Sequence, residues 1–185
     1  VMRKSPHVQR GLLRAGFRGG WLDEVRGAET AGVEARAEKL LAQMTMEEKL
    51  GQLQQLDGDT DGRFRPEHLE LARKGLLGST LNVRGARNVN ELQKAAVEGS
   101  RLKIRLLFGY DTIHGYRTIF PIPLGEAASS DPSLAEATSR VAAAESAAVG
   151  LKWTFAPMVD IAHEPRWGGG AGGAGGGPEV GAAVG

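Results

Sequence analysis

The chain has 185 residues, a formal net charge of +1 and no cysteine. The balanced charge gives no argument for a nucleic acid partner. The lack of cysteine excludes disulfides and thiolate metal sites. No stretch approaches the ~18 apolar residues of a membrane span. The length suits one ordinary domain but is too short for a complete (β/α)₈ barrel, which usually needs ~250 residues. We therefore expect neither a nucleic acid nor a membrane as a partner.

Residues 1–32 are rich in arginine and poor in acidic residues. Their apolar pieces, such as Leu12-Leu13 and Trp21-Leu22, are too short for the apolar core of a secretory signal peptide. We predict a disordered basic extension over residues 1–32, and no localisation follows from it.

Two helices are predicted next, and both are expected to pack against the core. Residues at helical spacing form one apolar face of the first helix: Val33, Ala37, Leu40, Leu41 and Met44. The segment from Thr45 to Glu48 has the form of a capping box, so a second helix should begin there. This second helix would carry Leu50 and Leu53 inward.

The chain then alternates strands and helices. The predicted elements are a strand within 75–83, a helix from Asn88 that buries Val89, Leu92 and Ala96, a strand over 104–108, a helix from 131 to 150, and a strand over 152–159. Asp131 and Pro132 are the residue types preferred at a helix N-cap and first turn. This order favours right-handed parallel βα units.

Polar side chains follow the strand over 104–108. In parallel α/β sheets, ligands lie beyond the carboxyl ends of the strands. A carboxylate accepts hydrogen bonds from vicinal hydroxyls and a guanidinium donates them in a fixed fork, so Asp111 and Arg117 suit a polyhydroxylated ligand. The same two residues could instead form an ion pair that only pins a loop.

Three segments carry a family resemblance: AQMTMEEKLGQL over 42–53, DTIHGYRTIFP over 111–121, and FAPMVDIA over 155–162, with PRWG at 165–168. In this order they resemble the N-terminal barrel domain of glycoside hydrolase family 3, the β-glucosidase-like enzymes. The resemblance implies an α/β fold over residues 33–167. This fold would be a partial TIM-type (β/α)₈ barrel, roughly the first three βα units, with flanking N-terminal helices.

The resemblance also implies a function. Family members are retaining, exo-acting O-glycosyl hydrolases that remove terminal non-reducing β-D-glucosyl residues, with no metal or cofactor. Asp111 would hold outer hydroxyls of that glucosyl unit, Arg117 would brace Asp111 and the sugar, and Arg166 would contribute at the rim. The nucleophile and the acid/base would lie outside this chain, so the chain alone is expected to be inactive. Its expected partners are a β-glucoside substrate and the C-terminal half of the enzyme.

Beyond Trp167 the composition is dominated by glycine and alanine. Gly169 stands where the family usually has a sugar-contacting arginine, and Gly172, Gly176 and Gly177 stand where acids usually occur. We predict that residues 168–185 are a disordered tail or a sequencing artefact.

Two other functions remain open from the sequence. The chain could be a non-catalytic sugar-binding or interaction fragment with no hydrolysis of its own. It could also be a metal-dependent hydrolase, with Asp111 and His114 as one ligand pair and Asp160 and His163 as another. That spacing, however, matches no known zinc signature.

Overall fold

The computed structural model describes residues 21–164 and 166–173, so expectations for residues 1–20 and 174–185 lie outside it. The chain divides into two compact units, Val1–Met44 and Thr45–Gly185. The described part of the first unit is helix α1 (Trp21–Gln43), which begins inside the segment expected to be disordered. Val33 and Leu41, on the predicted apolar face of this helix, are 63% and 52% exposed. The prediction that this face is buried is therefore wrong. Within its own unit, this helix has no second described element to pack against.

The second unit alternates helices and strands. Its helices are α2 (Met46–Gln52), α3 (Pro66–Lys74), α4 (Ala86–Gly99), α5 (Pro123–Ala127) and α6 (Pro132–Ala148). Its strands are β1 (Gln55–Asp57), β2 (Ser79–Leu81), β3 (Leu107–Tyr110) and β4 (Trp153–Thr154), and a 3₁₀ turn follows at Gly168–Ala171. The strands form one parallel sheet in the order β1-β2-β3-β4, and over the described residues this sheet does not close on itself. Among the helices described, none is long and apolar enough to cross a bilayer.

Strand boundaries differ from the prediction in two places. β3 begins at Leu107 rather than at residue 104, because the amide of Leu106 donates to the side-chain oxygen of Gln93 (2.9 Å) instead of to a strand. β4 is much shorter than the predicted strand over 152–159. Pro157 has no amide hydrogen with which to extend the ladder.

Strand β1 and helix α3 are absent from the prediction. Helix α2 ends at Gln52, and strand β1 follows almost at once. The apolar face of α2 predicted to point into the core therefore does not form. Leu50 and Leu53 are 61% and 83% exposed, and Leu56 of β1 packs against the core instead.

The core lies where the sheet meets helices α3 and α4. Phe108 of β3 and Leu92 of α4 are almost fully buried, at 2% and 0% exposure. Val89, Leu92 and Ala96 are buried as predicted, although α4 begins at Ala86 rather than at Asn88. The amide of the Asn88 side chain donates to the carbonyls of Gly62 and Arg84, so it supports the neighbouring loop rather than capping the helix.

Helix α2 is tied to a distant loop through Glu48, which is 8% exposed. The predicted capping box is present: Glu48 donates its amide to the Thr45 hydroxyl and accepts the Thr45 amide. The Glu48 carboxylate also accepts two hydrogen bonds from the Arg101 guanidinium, at 3.2 and 2.5 Å. The bonds from Arg101, then that from Thr45, hold the pKa of Glu48 below its ordinary value of 4.5.

This lowered pKa predicts an acid-dependent loss of stability. The unfolded chain binds the Glu48 proton at a higher pH than the folded chain does, so the stabilisation is present above pH 4.5 and disappears as the pH falls through the folded-state pKa. We expect the unfolding midpoint of the parent chain to fall more steeply below pH 4.5 than that of Glu48→Gln. Thermal unfolding at a series of pH values measures this difference, with Glu91→Gln on the exposed face of α4 as the control. Parallel curves for the parent chain and Glu48→Gln would contradict the prediction.

Candidate functional site

The candidate site lies at the carboxyl end of β3. Asp111 directly follows this strand and is exposed. One of its carboxylate oxygens accepts the amide of Ile113 (3.1 Å), which fixes the side chain over its own loop. The second carboxylate oxygen makes no hydrogen bond with any residue described and is available to a ligand.

Arg117 lies on the same loop and is also exposed. Among the described residues no ion pair joins it to Asp111, so the structure shows neither a loop-pinning pair nor direct bracing of Asp111. The loop is held differently. A carboxylate oxygen of Glu145 in α6 accepts the amides of Arg117 (2.8 Å) and Thr118 (2.9 Å), and its other oxygen accepts the Thr118 hydroxyl (2.7 Å).

The turn within this loop requires glycine at position 115. Gly115 has a φ of +113°, and a Cβ built there would lie 2.0 Å from the carbonyl oxygen of Thr118. The amide of Phe120 donates to the His114 carbonyl across the turn (2.8 Å). The segment is therefore a closed, hydrogen-bonded loop.

Arg166, the third predicted sugar-binding residue, forms a two-point ion pair with Glu164. Its guanidinium donates to the two carboxylate oxygens of Glu164 at 2.8 and 2.7 Å. These bonds lower the pKa of Glu164 to about 2 and raise the pKa of Arg166. Both side chains are exposed, and no described contact joins Arg166 to Asp111 or Arg117.

Several residues that the sequence analysis does not single out support the rim. The guanidinium of Arg84 lies over the ring of Tyr110, 5.6 Å from its centroid, and Tyr116 meets the same ring edge-on at 5.5 Å. The Asn82 side chain, just after β2, donates to the Asp57 carboxylate at the end of β1 (2.8 Å). The ends of three neighbouring strands thus carry polar or aromatic groups.

A cavity of about 400 Å³ lies beside the loop, between α6 and the segment around β4. Its walls are mainly apolar, and neither Asp111 nor Arg117 lines it. Two buried polar atoms in its wall, the Ser146 hydroxyl and one Glu126 carboxylate oxygen, have no hydrogen-bond partner. Asp111 and Arg117 are therefore not part of the wall of this cavity.

The described residues hold no group of three or more histidine, aspartate or glutamate side chains that could bind a metal ion. Asp160 does not directly follow a strand, because β4 ends at Thr154. The geometry gives no support to the metal-dependent hydrolase considered from the sequence.

Comparison with known proteins decides the family. A model of the glycosyl hydrolase family 3 N terminal domain matches residues 45–185. The chain belongs to this family. The resemblance of the three sequence segments is thereby confirmed, and the open parallel sheet is a partial TIM-type barrel of the family 3 domain.

The similar family 3 proteins are much longer than this chain. The "Periplasmic beta-glucosidase" of Salmonella typhimurium is 40% identical over 129 residues, which cover 70% of this chain and 17% of that protein. The "Beta-glucosidase C" of Emericella nidulans is 31% identical over 158 residues, covering 73% of this chain and 25% of that protein. A crystal structure of the beta-glucosidase from Listeria innocua in complex with glucose superposes with a TM-score of 0.71 at 32% identity. That match covers 82% of this chain and 22% of the Listeria chain.

Proposed function

We propose that this family 3 chain forms part of the sugar-binding rim of a retaining, exo-acting β-glucosidase-type hydrolase, which releases terminal non-reducing β-D-glucosyl residues. The observation that carries the proposal is the similarity to beta-glucosidases, at 40% identity in the Salmonella protein. Structures of the Listeria enzyme contain glucose or laminaribiose. These ligands belong to that enzyme and favour a β-glucoside as the substrate here.

In this proposal, Asp111 and Arg117 bind the terminal sugar. The unbonded carboxylate oxygen of Asp111 accepts hydrogen bonds from hydroxyls, and the exposed guanidinium of Arg117 donates to hydroxyl or ring oxygens. Arg166 has a lesser role. Its guanidinium already donates two hydrogen bonds to Glu164, and binding a sugar requires it to break or share them. No cofactor is needed for this chemistry.

Bond cleavage in a retaining glycosidase needs two carboxyl groups ~5–5.5 Å apart, one as nucleophile and one as acid/base. Asp111 is assigned to binding, and the resemblance to the family implies that the nucleophile and the acid/base come from elsewhere. We therefore assign sugar binding to this chain, and bond cleavage to carboxyl groups outside the described residues.

One feature of the chain weakens the sugar site that the family resemblance implies. Gly169 replaces the arginine expected from the family, and a Cβ there would lie 2.9 Å from the Trp167 ring and 3.1 Å from Met158. A side chain at this position would have to displace those neighbours. The local packing is thus adapted to glycine.

A sugar titration tests the proposal. We expect addition of glucose or laminaribiose to the 185-residue chain to shift the backbone amide NMR signals of residues 111–118. Asp111→Asn should weaken binding about 10-fold or more, since a hydrogen bond to a charged group contributes ~1.5–3 kcal/mol.

Asp61→Asn is the matched control. Asp61 is also exposed and also accepts the amide two residues ahead, that of Arg63 at 2.9 Å. Sugar affinity should be unchanged in this variant. Absence of any shift at high-millimolar sugar, or equal loss of affinity in both variants, would overturn the proposal.

A further inference from the structure

Glu145 makes an unusually complete set of contacts with the candidate sugar-binding loop. Its carboxylate accepts three hydrogen bonds, all from Arg117 and Thr118, at 2.7 to 2.9 Å. Two of the donors are successive backbone amides, so the contact fixes the backbone at the residue that carries the guanidinium. Glu145 lies far from this loop in sequence, and the contact exists only in the folded chain.

Helix α6 gives Glu145 a fixed position. Its N-terminus is capped as predicted by Asp131, which accepts the amide of Ser133 at 3.0 Å. Ala142 and Ser146, on either side of Glu145 in sequence, are 5% and 8% exposed. This burial sets the rotation of the helix, and Glu145 is directed towards the loop as a consequence.

We propose that Glu145 is a positioning residue for sugar binding, which acts by holding the backbone of Arg117 so that its guanidinium is presented at the rim with Asp111. This inference rests on the proposed function. The Glu145 carboxylate is occupied by backbone amides and a hydroxyl, and it forms no ion pair with the Arg117 guanidinium among the described contacts. The guanidinium donors therefore remain available to a ligand.

The charge of Glu145 is maintained near neutral pH. The hydrogen bonds from the Thr118 hydroxyl and amide, then that from the Arg117 amide, lower its pKa from the ordinary value of 4.5. A glutamine side chain has the same length, and its carbonyl oxygen can still accept both backbone amides while its NH₂ group donates to the Thr118 hydroxyl, so Glu145→Gln removes the charge but not the hydrogen bonds. Glu145→Ala removes the carboxylate and all three contacts, and is therefore the variant that tests the arrangement.

The first experiment tests the contact itself, without a ligand. In Glu145→Ala, hydrogen exchange of the Arg117 and Thr118 amides should accelerate about tenfold or more, as expected for the loss of a charge-assisted hydrogen bond. Glu136→Ala is the control, because Glu136 lies on the same helix and forms an ion pair with Arg140 at the surface. Unchanged exchange in Glu145→Ala would overturn the inference.

The second experiment tests whether Glu145 acts through Arg117. Glucose affinity, measured by NMR titration, should fall about tenfold in Glu145→Ala. In an Arg117→Ala background, Glu145→Ala should cause no further loss, because the group that Glu145 positions is gone. A general structural role would instead give additive losses in the double variant.

The outcomes separate this inference from the proposed function. If the parent chain does not bind glucose while amide exchange changes as expected, the proposed function and the sugar-positioning role are overturned together. If the parent chain binds glucose and Glu145→Ala binds it equally well, or the two losses add, only the positioning role is overturned.

Discussion

Replacement of Phe108 by alanine is expected to destabilise the second unit by about 3–5 kcal/mol, the usual cost of removing a buried phenylalanine side chain. Phe108 is 2% exposed and packs in the core with residues of α4, among them Val89 and Leu92. The cavity left behind would be bounded by sheet and helix, neither of which can collapse freely. Urea unfolding followed by far-ultraviolet circular dichroism measures the loss.

Leu107 provides a matched control for this substitution. It precedes Phe108 on β3, its side chain points to the other face of the sheet, and it is 52% exposed. We expect Leu107→Ala to change the free energy of unfolding by much less than Phe108→Ala. Equal effects of the two substitutions would show that the described core is wrong.

The second large effect is expected at His68, which has no exposed surface. Its Nδ1 accepts the amide of Arg65 at 3.1 Å, so the ring proton lies on Nε2, which then donates to the carbonyl of Asp57 at 3.2 Å. His68 thereby joins the start of α3 to the end of β1. His68→Ala should cost about 2–4 kcal/mol, because it removes two hydrogen bonds and the packing of a fully buried ring.

Glu67→Ala, one residue earlier on the exposed side of α3, is the control. Its ion pair with Arg65 has a distance of 3.7 Å at the surface, and such pairs contribute little. Thermal unfolding should show a clear decrease in midpoint for His68→Ala and almost none for Glu67→Ala. An unchanged midpoint in His68→Ala would mean that water satisfies both backbone groups, and that the ring is dispensable.

The fold could be predicted where the sequence pattern is long. Helix α4 has its buried positions at helical spacing, and α6 begins at an Asp-Pro pair with the expected cap. Strand β1 has three residues, of which only Leu56 packs inward, so it carries no periodic pattern. Helix α3 could have been predicted, because Pro66 at its first turn and Gly75 at its end are both typical of helix boundaries.

The candidate site could be predicted only in part, for a similar reason. Asp111 and Arg117 follow a predicted strand, and the end of a parallel strand is where ligands bind. Their sugar-binding role stays a prediction until it is tested. Glu145 could not be found in this way, because its contact with Thr118 depends on how α6 packs and not on local sequence. The ion pair between Arg166 and Glu164 likewise needs the folded geometry to be seen.

The conformation of Gly115 has a consequence for attempts to engineer sugar preference. No L-amino acid side chain fits at this position, because its Cβ would overlap the Thr118 carbonyl oxygen, and the positive φ is unfavourable as well. A randomised library across the loop would therefore yield mostly misfolded clones wherever codon 115 is varied. Diversity is better introduced at exposed Asp111 and Arg117, with residue 115 kept invariant.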